Sequence, residues 1–302
     1  MVFPKQIKIG CTLGIIAPSS PYRGSNLEEV EKILTSYGYR VQFGKSCYGS
    51  YKGYLSSEDE IRARDIEDMF LNKEIDGIIC LRGGYGTPRI LDLIDYNIVK
   101  QNPKFFVGFS DITALHIAFN QKSNLVTFHG VMAASSPNWD YFTYKSLLDA
   151  INMKDTLEIK NPRGEKIKTL VNGKCEGQLI GGNLALLSAT MGTGYEVDTK
   201  GKILFIEDVG ESIYRLDRML TQLALGGKFT DCEGIIFGDF SNCRKDNDDD
   251  FSVEELLLDR ISKYNKPCIC NLKSGHCMPM VSLPFGVNCR LDATNKTIKF
   301  YK

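Results

Sequence analysis

The stretch Phe105-Phe106-Val107-Gly108-Phe109-Ser110-Asp111-Ile112-Thr113-Ala114-Leu115 passes from an apolar strand, through a small residue and a serine, straight into a helical pattern. A serine at such a turn stands exposed at the carboxyl end of a sheet, which is the layout of a nucleophile elbow. The next backbone N–H, on Asp111, falls at a helix start, where it can stabilise an oxyanion. A second glycine, usual just after such a serine, is missing. The plain alternative is that Ser110 or Asp111 only caps the helix that follows.

Outward from this turn the same alternation repeats. Strands are predicted at 12–17, 40–43, 77–81, 105–108 and 126–129, and apolar residues recur at helical spacing over 27–37 and 57–72. Ser57 followed by Glu60 fits a capping box. Strand–helix alternation of this kind predicts an α/β fold with a doubly wound parallel sheet. The pattern weakens over 137–175, where Pro137-Asn138-Trp139 and Asn161-Pro162-Arg163-Gly164 mark turns in a polar stretch. Further on, 202–206 and 234–238 read as buried strands, 212–225 and 253–264 as helices, and 297–301 as a last short strand. The expected division is an N-terminal nucleophile domain over 1–140, a linker region over 141–170, and a smaller C-terminal α/β domain over 171–302.

The chain has 302 residues, 43% of them hydrophobic, enough for one large core or two moderate ones. Lysine plus arginine number 37 and aspartate plus glutamate also 37, so no overall field gathers nucleic acid or anionic membrane, and specificity has to be local. Ten scattered cysteines, several inside apolar runs, suggest reduced thiols. No apolar run is long enough to span a bilayer and no leader pattern opens the sequence, so the expectation is a soluble, cytoplasmic protein. Cys268 and Cys270 lie near His276 and Cys277, but no second pair completes a zinc pattern. The acidic run at 246–250 reads most simply as a solvated loop, with a calcium site as the alternative.

A second turn, Arg82-Gly83-Gly84-Tyr85-Gly86, follows the strand predicted at 77–81. Its amides can approach a ligand closely, as a further oxyanion donor or as a carboxylate cradle with Arg82, or it is simply a tight turn. The glycine spacing fits neither a Walker loop nor a dinucleotide fingerprint, which speaks against a nucleotide cofactor. Three histidines compete as general base. His116 falls too far along the helix after Ser110, His129 ends an apolar strand, and His276 lies in the small-residue loop Ser274-Gly275-His276-Cys277, the kind of segment that carries catalytic side chains. Structural roles remain open for the last two. An apolar strand ends in Glu207-Asp208, where a carboxylate can orient an imidazole, or can merely cap a helix or pair at the surface.

Together these segments resemble the serine LD-carboxypeptidases, which include muramoyltetrapeptide carboxypeptidase and the microcin-immunity hydrolases. The resemblance spans nearly the whole chain and rests on six segments in order: Ile16-Ala17-Pro18-Ser19-Ser20, Leu81-Arg82-Gly83-Gly84-Tyr85-Gly86, Gly108-Phe109-Ser110-Asp111, Gly181-Gly182-Asn183-Leu184, Phe205-Ile206-Glu207-Asp208 and Gly275-His276. It implies a triad of Ser110, Glu207 and His276 divided between two domains, with an oxyanion hole from the Asp111 amide and an amide of the Gly83-Gly84 turn. It also implies a homodimer that uses no metal or cofactor. The implied reaction removes a terminal D-amino acid, D-alanine above all, from a muropeptide tetrapeptide during cell-wall recycling. Within the matching segments Arg82, Tyr85 and Asn183 are candidate substrate contacts. One rival is the microcin-immunity branch, which would need an aromatic platform for a base, and the one tryptophan is Trp139. A rival of another class is a non-catalytic protein that holds a small ligand in its cleft.

Overall fold

The computed structural model describes residues 1–24 and 27–302. It holds fourteen strands in two sheets. In chain order they are β1 (Thr12–Ile16), β2 (Arg40–Phe43), β3 (Gly77–Cys80), β4 (Phe105–Gly108), β5 (Thr127–His129), β6 (Thr156–Ile159), β7 (Lys168–Val171), β8 (Lys174–Asn183), β9 (Lys202–Val209), β10 (Gly234–Ser241), β11 (Cys268–Cys270), β12 (Leu283–Phe285), β13 (Asn288–Asp292) and β14 (Thr297–Tyr301).

The first sheet has the order β12-β5-β4-β3-β1-β2. Its first five strands in sequence run parallel, as their continuous apolar runs predict: every residue of β3 and β4 is buried, because helices cover both faces. The chain fills the sheet outward from β1 in both directions, so a crevice opens at the carboxyl ends of β1 and β3, where ligands bind in sheets of this kind. The turn after β4 opens beside that crevice. β12, from the far end of the chain, closes the sheet antiparallel to β5.

The second sheet has the order β6-β14-β13-β8-β9-β10-β11-β7, with a parallel centre of β8 to β11 and antiparallel edges. The sheet of the C-terminal part has eight strands against six. The extra edges are β6 and β7, which fall, with the helix Tyr141–Ile151, in the stretch read from sequence as a connection. Edge strands are half-exposed and lack a continuous apolar run, so their pattern is weak. One expectation fails: the helix Asp59–Leu71 has Glu58 at its N-cap with no side-chain cap. The carbonyl of Ser57 accepts instead from the buried Arg62 Nε at 3.1 Å. A complete capping box forms at Ser252 and Glu255.

One apolar cluster runs from the helices Leu27–Ser36 and Tyr141–Ile151 through Ile15, Val107 and Phe128 of the first sheet to Phe205, Ile236 and Phe300 of the second. The two sheets therefore share a core. No helix among the described residues is long and apolar enough to cross a membrane.

Candidate active site

Ser110 leaves β4 with φ 65°, a left-handed conformation that costs a residue with a Cβ about 1–3 kcal/mol and has to be held by its surroundings. Asp111 supplies the hold. Its buried Oδ2 accepts from Ser19 Oγ at 2.7 Å and from the Thr87 amide at 2.8 Å, and the Thr87 hydroxyl donates to the Asp111 carbonyl. The turn after β4 is thereby tied to the turns after β1 and β3. Burial pushes the Asp111 carboxyl up, against the pull of these hydrogen bonds. Gly83 is the closest approach of the neighbouring turn: a Cβ there would lie 2.9 Å from Ser110 Cβ and 3.1 Å from its Oγ. Ser20 braces the same turn by accepting from the Tyr85 amide at 3.1 Å.

Register in the second sheet brings up the other two groups. Asn183 at the end of β8 lies opposite Glu207 in β9, and the Asn183 amide donates to Thr113 Oγ1 at 2.9 Å, so both strand ends abut the helix Thr113–Ser123 that follows Ser110. Glu207 is fully buried, with its Oε2 2.7 Å from Nδ1 of His276. Only a glycine fits beside this pair, because a Cβ on Gly275 would stand 2.5 Å from Glu207 Oε2, and its φ is 122°. The imidazole is 20% exposed, its accessible part reaching the cavity, and the Phe109 ring packs against it edge-on at 4.9 Å. Burial alone would lower its pKa, but the hydrogen bond to Glu207 and the charges of Glu207, Asp208 and Asp239 outweigh that and hold it above 6.5.

Ser110, His276, Arg82, Gly83 and Gly84 line a single cavity of about 680 Å³. A hydroxyl, an imidazole backed by a buried carboxylate, and amides at a helix start are the parts of acyl-transfer chemistry. The other two histidines are sealed in the core. His116 Nε2 donates to the Gly108 carbonyl at 2.8 Å and burial takes its pKa down to about 4, while burial also lowers His129.

Two expected substrate contacts do not line this cavity. Asn183 is buried and committed elsewhere: its Oδ1 caps the helix Leu184–Ala189 at the Leu186 amide and its Nδ2 donates to Asp208 Oδ1 at 3.1 Å. Tyr85 is half-exposed and turns toward Tyr54, with ring centroids 5.9 Å apart. Trp139 is buried, its indole N–H donating to Ser135 Oγ at 3.0 Å, so it offers no open platform. Sequence reasoning missed the parts played by Ser19, Thr87, Phe109 and Asp208, the last of which burial pushes up to about 6. Ser19 and Phe109 both lie in segments that carry the family resemblance, but the local sequence points to no role for either.

Comparison with known proteins gives the following. The LD-carboxypeptidase N-terminal domain matches residues 13–130 and the LD-carboxypeptidase C-terminal domain matches 176–291. The chain is 40% identical to a protein of Bacillus subtilis named "Probable murein peptide carboxypeptidase", over 97% of this chain and 92% of that one. Among solved structures it superposes on the microcin C7 self-immunity protein MccF with a TM-score of 0.91 at 25% identity, covering 100% of this chain and 99% of that one. On the muramoyltetrapeptide carboxypeptidase of Oxalobacter formigenes the TM-score is 0.83 at 28% identity, covering 96% and 97%.

Proposed function

The chain belongs to the LD-carboxypeptidase family, and on that premise we propose that it is a serine-type LD-carboxypeptidase that removes a terminal D-amino acid, D-alanine above all, from muropeptide tetrapeptides. The observation that carries the reading is the convergence of Ser110 and the Glu207-held His276 on one cavity.

In this mechanism His276 Nε2 takes the Ser110 proton as Oγ attacks the carbonyl carbon of the bond before the D-residue. Glu207 Oε2 keeps the proton on Nδ1, leaves Nε2 free to accept, and stabilises the imidazolium that forms. The Asp111 amide and an amide of the Gly83-Gly84 turn receive the oxyanion. The C–N bond then breaks, the imidazolium protonates the leaving amine, and water hydrolyses the acyl-enzyme by the same steps. Assigned this way, the nucleophile comes from the part over 1–140, and acid and base come from the part over 171–302. Ten cysteines, none in a disulfide, support a reducing compartment and hence the cytoplasm. A homodimer belongs to the same reading, and gel filtration with light scattering tests it.

The experiment is Ser110→Ala assayed on a muropeptide tetrapeptide, with a loss of about a thousandfold or more expected. An unchanged rate overturns the nucleophile. Cleavage of a peptide–nucleotide conjugate and not of the tetrapeptide would overturn the substrate in favour of the microcin type, a reading that the burial of Trp139 disfavours.

A further inference from the structure

The cavity at Ser110 is not electrically neutral, although the chain is. Of its described lining residues, Arg23 and Arg82 carry a permanent charge, both positive, and no aspartate or glutamate is among them. Among the described residues neither arginine takes part in an ion pair. Arg82 is half-buried and held in place: its Nε donates to the Gly83 carbonyl at 3.2 Å and its Nη1 to the Pro21 carbonyl at 3.1 Å. Its Nη2 lies over the glycine turn, 3.7 Å from where a Cβ of Gly84 would stand. Arg23 is exposed and ties to the Gly53 carbonyl.

Two neutral acceptors leave the guanidinium's charge uncancelled while fixing its plane, which lowers the entropy lost on binding an anion. Gly83, the next residue, lies so near Ser110 that a Cβ on it would stand 3.1 Å from Ser110 Oγ. In a peptide cleaved at its last bond, the terminal carboxylate carbon is three bonds from the carbon under attack, so an anion one residue along the turn from the nucleophile matches that spacing. We propose that Arg82 binds the carboxylate of the departing residue, so that the cavity selects peptides with a free C-terminus at the cleaved residue. This rests on the hydrolase reading above and adds to it the group that makes the enzyme a carboxypeptidase.

The test compares kcat/KM for one tetrapeptide as the free acid and as its C-terminal amide, in wild type, Arg82→Gln, Arg82→Lys and Arg23→Gln. The wild type should prefer the acid by about tenfold to a hundredfold, the worth of a charge-assisted hydrogen bond. Arg82→Gln should erase the preference by lowering the rate on the acid much more than on the amide. Arg82→Lys should retain part of it, since the charge stays and the fork is lost. Equal loss on both peptides in Arg82→Gln would make Arg82 a scaffold only, and a collapse in Arg23→Gln alone would move the anchor there; either overturns the proposal. A wild type that cleaves acid and amide alike overturns the anchor but leaves the hydrolase standing. A wild type that cleaves neither overturns the hydrolase reading and the anchor with it.

Discussion

His276 carries opposed demands. In the proposed mechanism its imidazole has to be neutral to accept a proton from Ser110, yet the buried Glu207 carboxylate 2.7 Å away favours the cation and, against the effect of burial, raises its pKa above 6.5. Activity should therefore fall as pH drops through a value above 6.5, earlier than an unpaired histidine would dictate, and Glu207→Gln should move this acid limb of kcat/KM downward while lowering the plateau. A limb at the same pH in both proteins would detach His276 from the rate. The sign for stability is the reverse. A pKa raised in the folded state gives a contribution fully present below 6.5, and it is lost as pH rises through the folded value, so the active form is the one without it. At this scale Ser110 and Glu207 were legible because each follows an apolar run, Ser110 two residues beyond β4 and Glu207 directly after the apolar residues of β9, and the end of such a run can be read locally. Phe109 was not: its packing on the imidazole joins residues 167 positions apart, and nothing in the neighbourhood of either announces it.

Three turns form the floor of the cavity, and a single carboxylate joins them. Asp111 Oδ2 takes the Ser19 hydroxyl and the Thr87 amide, both buried. Asp111→Ala should leave those two donors without an acceptor at about 1–3 kcal/mol each and let Ser110 relax from its left-handed conformation. The expected result is a lower urea midpoint together with a fall in kcat; Asp111→Asn, which keeps an oxygen acceptor, should lose less of both. Unchanged kcat in a destabilised Asp111→Ala would show that the tie serves folding alone. Among the elements, the central parallel strands were readable because burial on both faces leaves an unbroken apolar run. β6 and β7 were not, since edge strands show water one face and their identity depends on neighbours elsewhere in the chain. The capping box placed at Ser57 failed because the helix starts one residue later, with Glu58 at its N-cap and no side-chain cap.

Across the whole molecule, β12 fastens the two sheets. Phe285 belongs to the first sheet by its pairing with Thr127, while its ring lies 6.0 Å from that of Phe205 in the second and 5.4 Å from that of His129. Truncation to Phe285→Ala should cost about 3–5 kcal/mol. With one core spanning both sheets, fluorescence and far-UV circular dichroism should report a single coincident unfolding transition in the wild type and in the variant. Two separate transitions in the wild type would mean that the sheets fold independently. The amino-acid sequence by itself determined the α/β class, the strand–turn–helix at Ser110, the placing of a carboxylate and a histidine in the second half of the chain, and a net charge of zero. Only the tertiary structure decided that Asn183 serves the scaffold and that Arg23 and Arg82 line the cavity at Ser110, with no carboxylate among its described lining residues; it also brings Glu207 to His276, as the family resemblance implied. Periodicity records how each residue is buried within its own element, whereas which strand ends meet is set by the register of β8 on β9 and by the packing of sheet against sheet, and those are fixed only when distant segments share one core.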